Sequence, residues 1–445
     1  AALGTADGAE VLARLASGAT VALSTRGPSA FSVRLFDGFI DSPMVAPEEN
    51  DARFTAAPPS HGKGILTAFG SIVVDGSGRL VLRNVAGDVI TQSDPISTEL
   101  PGRLAFSATG GKLYGRGASE LDAHHLVRRS STPLVANTGV YAPYYYSTDG
   151  YAALVAVNDV RGPHYPANYS YSTDGRKLTW DFRAKFELYL LPAATLAEGT
   201  SAYYALTGAP AVPPRYAFGF AASRWGWKSH KYVFDTIRKF RDGNFPIDAI
   251  IVDFEWFTNE SDYSVQPPGW SWYNDFGFNP ELFANPREDL AKLHEMNIRF
   301  AGIRKPRLGN TKLLQEAKNK GYILTHVGEP GGTYPPDGTF YAVDRELNFS
   351  KLEARQWYSM KMAHYVDDGV DFWWNDEGEA DYFSFYWWNV AELAALRQKS
   401  ANRRFYSLNR AWSPGMARLG AMVWTGDVNA SWVDLAKAPG MMLNW

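Results

Sequence analysis

The sequence predicts an N-terminal antiparallel β-sandwich followed by a parallel β/α barrel, with the join near residue 212. Three observations carry this. Up to about residue 210, short β-rich runs alternate with clusters of Gly, Ser, Asp and Asn. Pro210, Pro213 and Pro214 then interrupt the chain, and clustered prolines break both helices and central strands. Beyond them, apolar strands alternate with charged amphipathic helices, the texture of a parallel β/α architecture.

In residues 1–212, strands are expected at Thr20–Ser24, Ser32–Phe36, Ser71–Val74, Leu80–Arg83 and Phe186–Leu191. Turns fall at Asp75-Gly76, Asp149-Gly150 and Asp174-Gly175. Strands at this spacing, with few helical patterns between them, indicate a sandwich. In residues 213–445, strands are expected at Ala217–Ala222, Ile247–Asp253, Ile298–Ile303, Val370–Trp374, Arg404–Leu408 and Ala421–Trp424. Helices follow near Ser229–Asp242, Pro286–Met296 and Asn310–Lys320. That makes about six strands of a (β/α)8 TIM-type barrel, which closes with eight. The apolar segment Met441–Trp445 is a poor exposed terminus. The rest of the barrel is therefore expected to be absent from this chain or supplied by a second polypeptide. An open doubly wound sheet, which tolerates six strands, is the alternative.

Bulk properties exclude several classes. At 445 residues, more than one domain is expected. A net charge of −3 gives no concentrated basic surface for nucleic acid. No apolar run approaches the roughly 18 residues of a membrane span. Cysteine is absent, which removes disulfides, thiolate metal sites and a cysteine nucleophile. The chain starts Ala1-Ala2-Leu3, which suits a secreted or extracytoplasmic protein after signal removal and equally a trimmed one. Of the 15 Trp, all but Trp180 lie after residue 213, which points to a ligand site in the second part.

Active groups of parallel barrels lie at the carboxyl ends of the strands. By that rule the informative residues are Arg224-Trp225, Asp253, Glu255, Ile303-Arg304-Lys305, Asp376, Arg410 and Asp427. Two acidic peptides are most pointed: Trp374-Asn375-Asp376-Glu377-Gly378-Glu379 and Trp424-Thr425-Gly426-Asp427. Each follows an apolar run ending in Trp, so each delivers a carboxylate to a pocket rim. Paired carboxylates are the equipment of glycoside hydrolysis, one at the anomeric centre and one handling the leaving-group proton. Taken singly, an Asp after a strand is more often a cap or turn residue.

Several stretches, in order, resemble glycoside hydrolase family 31, the family of α-glucosidases, α-xylosidases and α-transglucosylases. They are Leu113–Gly117, Ala142–Ser147 with Gly150-Tyr151, and Tyr204–Gly219 continuing to Ser223–Gly226. The resemblance implies that Asp376 is the nucleophile and Asp427 the general acid and base. It implies that Asp253 and Arg410 contact the sugar in subsite −1, and that Trp225, Trp374, Trp424 and Ile303 line it. The activity implied is retaining, exo-acting α-glycosidase chemistry on α-glucosidic oligosaccharides through a covalent intermediate. A transglucosylase, or an α-galactosidase-type or α-N-acetylgalactosaminidase-type member, shares the same acid pair, and a catalytically silent sugar binder is the rival of another class. No metal or organic cofactor is implied.

Two departures stand out. Glu377-Gly378-Glu379 replaces the Met-Asn-Glu common in the family, and Lys305-Pro306 replaces its Asp-Pro or Asn-Pro. Lys305 is expected either to meet a substrate hydroxyl or to pair with a neighbouring acid. Elsewhere, His124-His125 lacks a third metal ligand at fixed spacing, and Gly331-Gly332 lacks the Lys-Ser/Thr of a phosphate loop. Glu260 and Asp262 read as a solvated loop, Glu288 and Asp289 as first-turn helix acids. The aromatic run Pro268–Tyr273 fits a sugar platform and loop packing equally.

Overall fold

The computed structural model describes residues 10–443 apart from 28, 37–39, 48–53, 101, 108–109, 116–138, 141, 158–166, 173–176, 183–184, 228, 258–275, 281, 310–311, 326–344, 379–380 and 427–428. The chain divides into two compact units. One comprises Ala1–Val160, His164–Ala209 and Thr425–Trp445, the other Arg161–Pro163 and Pro210–Trp424.

The first unit contains two antiparallel sheets. The seven-stranded sheet runs, in spatial order, Val11–Arg14, Thr20–Arg26, Ala30–Arg34, Glu187–Pro192, Tyr151–Ala156, Tyr144–Ser147 and Leu113–Gly115. In Thr20–Arg26 the buried side chains are Val21, Leu23 and Thr25, the period of two expected when one face is covered. Tyr151–Ala156 is buried throughout, as befits a central strand. The other sheet has eight strands, from Ala167–Ser172 at one edge to Thr55–Ala56 at the other. Its hairpin at Asp75 is closed by that side chain, whose Oδ1 accepts from the backbone N–H groups of Ser77 (2.8 Å) and Arg79 (3.0 Å). The Asp174-Gly175 turn lies outside the described residues. Two helices of this unit were not expected from the sequence, Leu196–Thr207 and Trp432–Leu443. A capping box starts Leu196–Thr207: Thr195 accepts from the Glu198 N–H at 3.2 Å, and Glu198 accepts from the Thr195 N–H at 3.2 Å.

The second unit carries a six-stranded parallel sheet in sequential order: Ala221–Arg224, Ala249–Val252, Arg299–Arg304, Phe372–Asn375, Ser407–Asn409 and Ala421–Val423. The first strand starts later than the sequence suggests. Arg215–Phe218, just after Pro213 and Pro214, forms a 3₁₀ turn instead, closed by Gly219 N–H donating to the Tyr216 carbonyl at 3.0 Å. Between the strands lie helices His230–Asp242, Pro286–Glu295, Lys312–Asn319, Leu352–Asp368 and Ser384–Lys399. Ser229 caps the first through its Oγ, and Pro286 opens the second at a position where its missing N–H costs nothing.

One face of the sheet buries Ala249, Ile251, Ala301 and Phe372, with Trp374, Tyr406 and Leu408 packed against them. On the other face Gly302 makes room for Trp256. A Cβ at Gly302 would lie 2.0 Å from that indole, whose Nε1 donates to the Ile303 carbonyl at 2.8 Å. Among the described residues, no helix is long and apolar enough to cross a membrane.

Candidate active site

Because the six strands are parallel, the residue after each strand reaches the same rim. Asp253 follows the second strand, Lys305 the third, Asp376 the fourth and Arg410 the fifth. The structure brings Asp376, Lys305 and Arg410 into direct contact. Asp376 Oδ1 lies 3.1 Å from the Arg410 guanidinium, and its Oδ2 pairs with Lys305 Nζ. The Asp376 N–H donates to the Arg304 carbonyl at 3.0 Å, which fixes where its side chain departs. Lys305 also lies 3.1 Å from Glu377 Oε1 and 4.8 Å from the centre of the Phe254 ring. Glu377 is paired in turn with Arg307.

These charges shape one another. Burial alone would raise the Asp376 pKa, but Lys305 and then Arg410 outweigh it and hold the carboxyl below the ordinary aspartate value. Burial pushes the Lys305 ammonium down, against the opposing pull of Asp376. Asp253 goes the other way, up to about 6: burial dominates, Lys305 opposes it, and the charges of Glu255 and Asp376 add to the rise. Two carboxyl groups at this rim are thus pushed in opposite directions, Asp376 down and Asp253 up.

A buried polar layer supports the rim. Arg304, Asn375 and Asn409 are neighbours in register across the third, fourth and fifth strands. Asn375 Nδ2 donates to Asn409 Oδ1 (3.1 Å) and to Glu392 Oε2 (2.8 Å). Asn389 also donates to Asn409 Oδ1, at 2.8 Å. Glu392 is fully buried, and burial lifts its pKa to about 8 against the hydrogen bond from Asn375 and the charge of Arg304. These hydrogen bonds tie the ends of the fourth and fifth strands to helix Ser384–Lys399.

The aromatic candidates divide. The rings of Trp374 and Trp424 meet edge to face with centres 5.6 Å apart. Trp225 is 61% exposed and contacts Phe254 at 5.8 Å. Ile303 is buried and pairs in register with Trp374. Asp427 lies outside the described residues, as do Glu260, Asp262, Pro268–Tyr273, His124-His125 and Gly331-Gly332. Just before Asp427, Gly426 adopts φ +83°, a conformation that favours glycine. Lys305, expected to bind substrate or to pair with an acid, is 1% exposed and pairs with two acids.

Sequence reasoning did not single out Arg307, whose signal was its place two residues after Lys305, nor Asn409 and Glu392 behind the rim. Among the described residues, no group of three or more His, Asp or Glu side chains is arranged to hold a metal ion.

Comparison with known proteins bears on what this rim is. Residues 210–445 match the family model for the glycosyl hydrolases family 31 TIM-barrel domain. The chain is 23% identical to an α-xylosidase of Saccharolobus solfataricus over 75% of its own length, and 24% identical to α-glucosidase 2 of Bacillus thermoamyloliquefaciens over 72%. It spans 44% of the length of each. Among solved structures, it superposes on a family 31 α-xylosidase from a soil metagenome, crystallised with xylose, with a TM-score of 0.75 at 19% identity. That match covers 100% of this chain and 70% of the other. A Flavobacterium johnsoniae dextranase, complexed with glucose, gives a TM-score of 0.79 at 16% identity, over 99% of this chain and 58% of that one. By the extent of the family match, this chain belongs to glycosyl hydrolase family 31.

Proposed function

We propose that this chain carries the catalytic centre of a retaining, exo-acting α-glycosidase for α-glucosidic oligosaccharides, with Asp376 as nucleophile and Asp427 as general acid and base. The observation that supports it best is the Asp376 carboxylate held between Lys305 and Arg410 at the strand-end rim. In the first step a lone pair of Asp376 forms a bond to the anomeric carbon. The electrons of the scissile bond leave with the glycosidic oxygen, which takes the proton of Asp427. In the second step Asp427 removes a proton from water, the water oxygen bonds the anomeric carbon, and the ester bond returns its electrons to Asp376. Asp253 and Arg410 are assigned to the hydroxyls of the bound sugar, and Trp374, Trp424, Trp225 and Ile303 to its apolar surroundings.

The accompanying architecture is a sandwich domain over 1–212 and a barrel domain over 213–445, with about six of the eight strands that close such a barrel. The strands observed support this: Ala221–Arg224, at one edge of the parallel sheet, has two of its four residues exposed, whereas Ala249–Val252 inside it is wholly buried. Two more strands would cover those edges.

The test is a screen of aryl α-glycosides and α-linked disaccharides on the intact polypeptide, with the first-formed product followed by proton NMR. An α anomer is expected. A β anomer released from an α substrate rules out the double displacement, and longer oligosaccharides accumulating at high substrate concentration move the reading to transglycosylation.

A further inference from the structure

Lys305 is a buried ammonium with two carboxylate partners on consecutive residues, Asp376 and Glu377. That arrangement depends on an uncommon backbone. Glu377 has φ +58°, a left-handed conformation that a side chain with a Cβ seldom adopts outside functional or tightly determined sites. The turn brings two acids in succession onto one cation, and Arg307 holds Glu377 from its other side. The groups facing Lys305 are thus Asp253 after the second strand, Arg307 on its own segment, Asp376 and Glu377 after the fourth, and Arg410 after the fifth.

This inference rests on the glycosidase reading above. When Asp376 donates a lone pair to the anomeric carbon it becomes a neutral ester, and its negative charge departs with the leaving-group oxygen that is then protonated. An ammonium with Asp376 as its sole counter-ion would be left buried and uncompensated at that moment, a costly state. We propose that Glu377 is the standing counter-ion of Lys305, a positioning residue that keeps the ammonium charged and in place while Asp376 is esterified. Lys305 then serves both stages: it holds the free nucleophile ionised, and it stays where it is needed when the ester breaks and the carboxylate charge returns. The downward pull of burial on Lys305 fits this role, because that ammonium has little charge stability to spare.

The experiment is a double-mutant cycle on the full chain with Glu377→Gln and Lys305→Met, read as the rate of covalent labelling by a 5-fluoro-α-D-glucosyl fluoride. Glu377→Gln is expected to slow labelling about 10-fold in the wild-type background, and by less than about twofold where Lys305 is already Met. It should also lower the pH at which the Lys305 ammonium titrates, followed by NMR of the labelled Nζ. Should the Gln variant fail to fold, Glu377→Asn keeps a residue tolerant of the left-handed backbone and is read identically. Equal slowing in both backgrounds, or a loss of thermal stability with labelling unchanged, overturns the proposal. A wild-type protein that no activated α-glycosyl fluoride labels sinks the glycosidase reading instead. The Lys305 titration then decides alone: a shift on removing the Glu377 charge supports the counter-ion role, and no shift refutes it.

Discussion

The fourth strand, Phe372–Asn375, has an aspartate at each end, and the two are set up differently. Asp371, just before it, is clamped by unlike partners. Its Oδ2 meets His294 Nε2 (2.7 Å) and the Phe300 N–H (2.9 Å), while Oδ1 takes the Arg403 guanidinium at 3.2 Å. Asp376, just after the strand, is paired with two side-chain cations, Lys305 and Arg410. A carboxylate tied to a main-chain N–H staples neighbouring strands together. One held by buried side-chain cations can lose its charge to a new bond while the strand ladder stays intact. Residue type and burial are alike, and the partners make the difference.

That contrast can be broken from either end. Asp376→Ala should reduce turnover by at least about 10⁴-fold while leaving a folded protein, measured by steady-state kinetics beside circular dichroism. Asp371→Ala should do the reverse. It leaves the buried Phe300 N–H without its acceptor, while His294 and Arg403 can turn to solvent, so a loss of about 1–3 kcal/mol in urea unfolding is expected, with the activity per folded molecule retained. If Asp371→Ala silences the enzyme without destabilising it, the division of labour between the two ends is wrong.

Glu392 sharpens the comparison from behind the rim. Its folded pKa is raised from 4.5 to about 8, so the folded state holds a proton that the unfolded state releases. The stabilisation is fully present below about pH 4.5 and is lost as the pH rises through about 8. Glu392→Gln should therefore flatten the fall in melting temperature between pH 5 and pH 8, on the order of a few degrees for a chain of this size. A steric effect is expected at Gly302→Ala, where the added methyl meets the Trp256 indole. Overpacking there should cost about 1–3 kcal/mol, read as a lower midpoint in urea.

How much of this was legible beforehand depended on whether a residue's partners were local. The parallel strands were readable as short apolar runs, most clearly Ala249–Val252 and Arg299–Arg304, which bury side chains on both faces of the sheet. Their ends were read less well: the expected Val370–Trp374 became Phe372–Asn375, since Asp371 is held by its clamp before the ladder begins. Helices Leu352–Asp368 and Ser384–Lys399 went unforeseen for a chemical reason. Ser384–Lys399 buries Asn389 and Glu392 among Phe385, Trp388 and Leu396, and those polar residues spoil an amphipathic stripe while serving the network behind the rim. At the site, Asp253, Asp376 and Arg410 were legible as strand-terminal residues. Glu377 was noticed as an oddity, but its direction follows from a backbone torsion that no residue pattern announces.

That torsion narrows the substitutions open to the position. A β-branched replacement would clash with its own main chain, while glycine or asparagine would fit comfortably and abolish the charge. Sequence drift at 377 is thus funnelled either toward keeping glutamate or toward small, uncharged residues. A relative that took the second route would need a different remedy for its buried lysine, or no lysine there at all.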